Sequence, residues 1–343
     1  MSDNATQKKP NAAATILLAS SPHIAFPVNS TMTMGMMLIA LAPVSIFGVT
    51  IFGLPALLNI VVAVAAAILG EALFRIAVRR PVRAKDLSAG VTGLLLALII
   101  PPSLPLWMTA LGAVFAVIVA KEFFGGLGAN VFNPALIGRA FLLMSFPAAM
   151  TAWHEPQSGF PLTLADAVSG ASPLGIMQSG EAGASAFFSE VHTVKEMFFG
   201  YRAGCIGETS VLLILAAFVF LLITKTIDWR APVSMIAAAL TAAFALGIDP
   251  LFAVLSGGLI FGAVYMVTDY VTVPVTSRGK VIFGAGAGLI TILIRKWGTY
   301  PEGVMYSILI MNCAVPFLNK LLGRKYGYVR KKKAASGSQG AAK

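Results

Sequence analysis

Residues 166–172 read DAVSGAS. A serine hydroxyl among glycine and alanine sits on a backbone that a modifying enzyme can grip in extended form. Such a hydroxyl can carry a nucleotide-type cofactor through a phosphodiester. In that reading Ser172 is the acceptor, and Ser169, Gly170 and Ala171 are its small neighbours. Asp166, six residues upstream, holds the metal ion that the transfer chemistry needs, or is read by the modifying enzyme. Residues 179–185, SGEAGAS, offer Ser185 in similar surroundings but without an acid six positions before it. A plain Ser/Gly loop accounts for either stretch, and composition alone does not choose between them.

A second constellation is AKEFFGGLGANVFNPALIGRAF, residues 120–141. Lys121 and Glu122 stand at a helix end, and Gly125, Gly126 and Gly128 loosen the backbone after it. Asn130 or Asn133 can cap the helix that follows. A helix start behind a glycine-rich turn suits anions and polar head groups, and a turn without ligand is the alternative. Arg139 then falls inside an apolar span, where a cation is costly and needs a partner, either a carboxylate or a cofactor phosphate. Thr268 and Asp269 end another apolar run and sit near an ion path or at an interface. Glu71, also within a span, pairs with Arg75 one helical turn on or relays a proton.

The elements that position these groups belong to a membrane. Of 343 residues, 57% are hydrophobic and 11% charged, against about 25% charged in soluble domains. Apolar runs reach the ~20 residues that cross ~30 Å of hydrocarbon as a helix, and helices satisfy their own backbone in lipid. Spans are expected at 33–52, 55–77, 89–103, 105–121, 131–148, 209–225, 231–248, 250–268, 279–296 and 302–322. The third and fifth are short and rich in Gly, Pro and Asn, as broken or re-entrant helices are. Lysine and arginine gather on one side of this ten-span plan, which puts both termini in the cytoplasm. The division is then an amino-terminal arm 1–32, a first membrane repeat 33–148, a loop 149–208 on the outer, periplasmic side, a second repeat 209–322 and a basic cytoplasmic tail 323–343. Residues 111–140 and 255–286 share a pattern of small-residue helix, polar end, broken loop and helix. Two halves of five spans each insert as inverted repeats, with a site between them. The fold class is therefore an all-α integral membrane protein.

Several functions are excluded. The net charge of +11 follows from topology and faces anionic lipid, so no nucleic-acid partner is expected. Cys205 and Cys313 form no paired motif for an iron–sulfur or zinc site and read as two buried thiols. His23, His154 and His192 lie outside the spans, which argues against a haem between helices. No metal site, P-loop or hydrolase triad is expected, nor a cleavable signal peptide at the start.

The stretches KDLSAGVTGLLLALIIPP, KEFFGGLGANVFNPALIGRAFLLMSFPAAMT, DAVSGASPLG and VTDYVTVPVTSRGKVIFG followed by GTYPEGVMYSILIMNCAVP resemble the RnfD family, the D subunits of the Rnf ion-translocating electron-transport complex. The nearest relative of that family is the B subunit of the sodium-translocating NADH:quinone reductase. The resemblance covers about residues 20–325, and the short amino-terminal arm favours the Rnf branch over the reductase. It implies an FMN joined through its phosphate to the last hydroxyl of D-x-x-[ST]-G-A-[ST]. That residue is Ser172, a serine where threonine is usual, and Ser185 lacks the full pattern. A separate flavin transferase makes the link. The resemblance also implies a non-covalent riboflavin, expected near Lys121, Asn130 and Arg139. Partners would be the A, B, C, E and G subunits in a bacterial inner membrane. The implied function is electron relay between ferredoxin and NAD coupled to Na⁺ or H⁺ movement. The runner-up is a stand-alone transporter or channel of inverted repeats.

Overall fold

The structure is a computed structural model that describes residues 29–82, 86–154, 174–175, 191–298, 300 and 302–323. Among them every regular element is helical. The first, α1, runs Ser30–Ala77, with the Asn29 side chain accepting from the Met32 N–H at its start. Its 48 residues would stretch ~72 Å as one rod, about twice a hydrocarbon core. Gly53 breaks it with φ 67° and ψ −148°, two residues before Pro55, so two helical segments share one element, divided where the sequence placed its first gap.

Two short helices come next in this half. Helix α2 spans Ser88–Leu98 and α4 spans Pro134–Ser145. At 11 and 12 residues each rises only ~17 Å, short as the sequence suggests for both. Between them α3, Leu106–Val117, passes into a π turn at Ile118–Glu122. The short α5, Pro147–Met150, closes this half, and α6, Val191–Phe199, precedes the second.

The second half holds α7, Val211–Ile223, and α8, Arg230–Ala245. The run 250–268, expected as one span, is instead broken. Helix α9 covers Pro250–Leu255 and α10 covers Leu259–Phe261, continuing as a π turn at Gly262–Met266. Gly257, at φ 61°, turns the chain between them. Helices α11, Ser277–Trp297, and α12, Val304–Leu322, complete the bundle. Among the described residues three helices, α1, α11 and α12, are long and apolar enough to cross a membrane, and four shorter apolar ones accompany them. The chain is a helical membrane protein.

Small residues let these helices approach closely, as in other membrane bundles. A Cβ on Gly284 or Gly288 of α11 would collide with the Ala231 and Met235 carbonyls of α8. One on Gly93 of α2 would lie 2.6 Å from the Ala63 carbonyl of α1. Cys205 is buried, but Cys313 is exposed on the outside of the bundle, a correction to the expectation of two buried thiols. Facing lipid satisfies a weakly polar thiol as well as burial does.

Candidate functional site

The buried charges form two separate groups. The first is built on α1 and the π turn. Glu71 Oε1 is 3.3 Å from Arg75 Nε one turn along, as expected from the sequence, and its Oε2 takes the Lys121 ammonium at 2.7 Å. Lys121 also donates to the Ser88 hydroxyl at 2.6 Å, and that hydroxyl donates to Asp86 at 2.7 Å. Arg75 reaches Glu122 at 2.9 Å. Gly126, at φ 94°, sits against this pair; a Cβ there would be 2.8 Å from Arg75 Nη2. The glycine turn is thus needed to seat the ion pairs. The π turn lets both Lys121 and Glu122 face inward, where each is only 2% exposed.

Beside this cluster opens a cleft. Residues from both halves line it. Ser88, Lys121, Asn130 and Asn133 come from the first; Tyr265 and Asp269 come from the second. Its walls are mainly apolar, including Met34, Met37 and Leu95. Of the two asparagines, Asn133 is the cap of α4, accepting from Ala135 N–H at 3.1 Å and Leu136 N–H at 3.4 Å. Asn130 donates to the Phe132 carbonyl at 3.1 Å. Asp269 accepts from the Val271 N–H and the Thr272 hydroxyl, and Tyr265 donates to the Ala40 carbonyl at 3.0 Å.

Arg139 does not line this cleft. It belongs to the second group, where its Nη1 donates to Glu302 at 2.7 Å and lies 3.6 Å from Glu208. Its Nη2 contacts the same Glu302 carboxylate and lies 3.6 Å from the Cys205 sulfur. The buried cation therefore has a carboxylate partner, one of the two alternatives the sequence left open. Arg202 and Arg295, also buried, complete the group by a different route. Arg202 donates to the carbonyls of Leu255, Glu208 and Gly257, and Arg295 to those of Ala253, Ser256 and Glu302. Helix ends leave carbonyls unsatisfied and carry partial negative charge. Two guanidinium groups here satisfy the broken end of α9.

Residues 200–208, expected as the end of an outer loop, fold into the bundle instead. Gly207 N–H donates to the Leu98 carbonyl at 2.7 Å and the Cys205 thiol to that of Ile99 at 3.1 Å. The same segment thus closes the end of α2 and, through Arg202, the end of α9. Glu208, just before α7, is 5% exposed and its Oε1 has no hydrogen-bond partner. Burial, then the nearby Glu302 carboxylate, push it up to about 8 against the pull of Arg139 and Arg202. Sequence reasoning named Arg139 but missed Glu208 and Glu302 as its partners. The signal was the need of a membrane-depth cation for a counter-charge.

Asp166, Ser169, Gly170, Ala171 and Ser172 lie outside the described residues. Two residues beyond Ser172, Leu174 is 4% exposed and packs with Met197 and Phe252. A Cβ on Gly257 would lie 2.6 Å from the Leu174 side chain and 3.2 Å from Arg295. Among the described residues no cluster of His, Cys, Asp or Glu is suited to hold a metal ion.

The model of the NQR2, RnfD, RnfE family matches residues 17–327. The chain belongs to this family. Its relatives include the D subunit of a proton-translocating ferredoxin:NAD(+) oxidoreductase complex from Clostridium ljungdahlii, 43% identical over 88% of this chain and 93% of the relative. The D subunit of a Na(+)-translocating ferredoxin:NAD(+) oxidoreductase complex from Acetobacterium woodii is 38% identical over 93% and 98%. The D subunit of an ion-translocating oxidoreductase complex from Stutzerimonas stutzeri is 37% identical over 84% and 90%. Similarity thus spans nearly the whole length of each of these family members, so both buried clusters fall within the shared region.

Proposed function

We propose that the chain is the D subunit of an ion-translocating ferredoxin:NAD oxidoreductase complex in a bacterial inner membrane. The observation that carries this reading is the 43% identity to a D subunit of that complex class over 88% of the chain. The named relatives move protons in one case and sodium ions in another, so similarity does not choose the ion. In our reading the chain bears FMN on Ser172 and works beside the A, B, C, E and G subunits, after a flavin transferase has loaded it. Both termini face the cytoplasm, and the two halves are inverted repeats. The two π turns support the repeat, since they end helices at matching places in the halves.

An FMN at Ser172 supplies one- and two-electron redox chemistry. Two residues beyond Ser172, Leu174 packs with Met197 and Phe252 beside the broken end of α9. Arg295 and Arg202 keep that end rigid by holding its carbonyls. The cleft beside Lys121, apolar-walled with polar groups at its edges, would take a planar, largely apolar ring system such as riboflavin. Asn130, Asn133 and Asp269 would meet its edges; Lys121 is held by Glu71 and Ser88.

The test is a denaturing gel viewed under ultraviolet light, with the chain co-produced with the flavin transferase. We expect a fluorescent band at the chain's position and none in Ser172→Ala. A dark wild-type band, or a fluorescent Ser172→Ala band, would overturn the covalent assignment.

A further inference from the structure

We propose that Glu208 and Glu302, facing the single guanidinium of Arg139, form a proton-binding site. Both carboxylates approach the same nitrogen, Arg139 Nη1, Glu302 at 2.7 Å and Glu208 at 3.6 Å. Both also face one point of the backbone: a Cβ on Gly258 would collide with Glu208 Oε1 and lie 3.1 Å from Glu302 Oε1. Two carboxylates that share a buried site do not both stay ionised unless enough positive charge meets them.

The charges around the pair decide which one carries the proton. Arg139 comes from α4, and Arg202 and Cys205 come from the segment before α7. Arg295 lies near the end of α11, and Tyr306 lies on α12. Arg202 and Arg295 are turned to backbone carbonyls, so their donors are committed to the end of α9. The Cys205 thiol donates to Ile99. Arg139 alone of the three guanidinium groups is engaged with carboxylates, and Glu302 takes both of its terminal nitrogens. Glu302 is therefore the ionised partner. Glu208, whose buried Oε1 has no hydrogen-bond partner, takes a proton from hydronium and becomes a neutral carboxylic acid. Glu302, with 22% of its side chain exposed against 6% for Glu208, is the way in from the surface. The site stands on these contacts alone and does not depend on the flavin.

Infrared absorption of the full chain, purified in detergent, tests it. At neutral pH we expect the carbonyl stretch of a protonated carboxylic acid, shifted in D₂O and lost as the pH is raised well past the ordinary carboxylate range. Glu208→Gln removes this band. Glu302→Gln removes it too at neutral pH, because the one remaining carboxylate then ionises against Arg139, an effect that loss of packing would not produce. The wild-type titration holds the test even if a variant fails to fold. Absence of the band in wild type, or its survival in Glu208→Gln, would overturn the proposal. Loss of the band on adding sodium at fixed pH and ionic strength would also overturn it, in favour of a metal cation.

Discussion

The two buried charge clusters solve the same problem in opposite ways. Near the cleft, two acids meet two cations: Glu71 and Glu122 against Arg75 and Lys121, each cation within ion-pair distance of a carboxylate. Around Arg139, three guanidinium groups meet two acids, yet two of the three serve backbone carbonyls, and Arg139 is left to face both Glu208 and Glu302. In the first cluster each carboxylate has a cation within 3.3 Å, although Glu71 Oε1 and Glu122 Oε2 make no hydrogen bond, and the pairs fix geometry. In the second, Glu208 has only Arg139, shared with Glu302, at 3.6 Å, and in our proposal a proton can come and go there. Balance of formal charge is thus a poor guide; what matters is which donors are already committed.

The largest expected effect comes from breaking the first cluster. Glu71→Ala strands Lys121 and weakens Arg75, and removal of one partner from a buried pair costs about 3–5 kcal/mol. Thermal unfolding in detergent should show a large drop or loss of the folded chain. Next is Arg295→Met, which keeps much of the volume but frees the carbonyls of Ala253, Ser256 and Glu302. Buried unsatisfied groups cost about 1–3 kcal/mol each, so this variant should also unfold early.

The pH dependence sharpens the contrast. Glu208 is raised to about 8 in the folded chain from an ordinary value of 4.5. The folded state therefore binds more protons than the unfolded state between those values. Its contribution is present below the unfolded value and is lost as pH rises through the folded one. The unfolding temperature should fall across that window in wild type and fall less in Glu208→Gln.

A smaller effect is expected from Asn133→Ala, which removes the cap of α4 beside the cleft, about 1 kcal/mol. The smallest is Asp228→Asn. Asp228 pairs with Arg230 and Lys280 at 2.9 and 3.0 Å, in a half-buried position. Such pairs contribute about 0–1 kcal/mol. If Asp228→Asn proved as damaging as Glu71→Ala, burial would not be what separates the clusters.

Most of the helices are legible in the sequence because apolar runs of membrane length are unambiguous, and Gly53 marks its own break. The Asn133–Pro134 pair announces the start of α4, and the Glu71–Arg75 pair follows from helical spacing. The break at 256–258 is not legible. Its residues, Ser-Gly-Gly, are tolerated inside a membrane helix, and the chain can end there only because Arg202 and Arg295 arrive from distant segments to hold the carbonyls. The partners of Arg139 are hidden for the same reason: Glu302 lies 163 residues away, and no local pattern joins them. The need of Arg139 for a counter-charge is legible, but grouping it with Lys121 and Asn130 rests on nearness in sequence, and the helix carries it away from the cleft.

The central claim is that this subunit carries a redox cofactor on Ser172. Intact-mass spectrometry of the chain, taken from cells that contain the flavin transferase, addresses it most directly. The account predicts the mass of the polypeptide plus one FMN phosphoester, reverting to the bare polypeptide in Ser172→Ala. A wild-type chain at its unmodified mass under those conditions would contradict it.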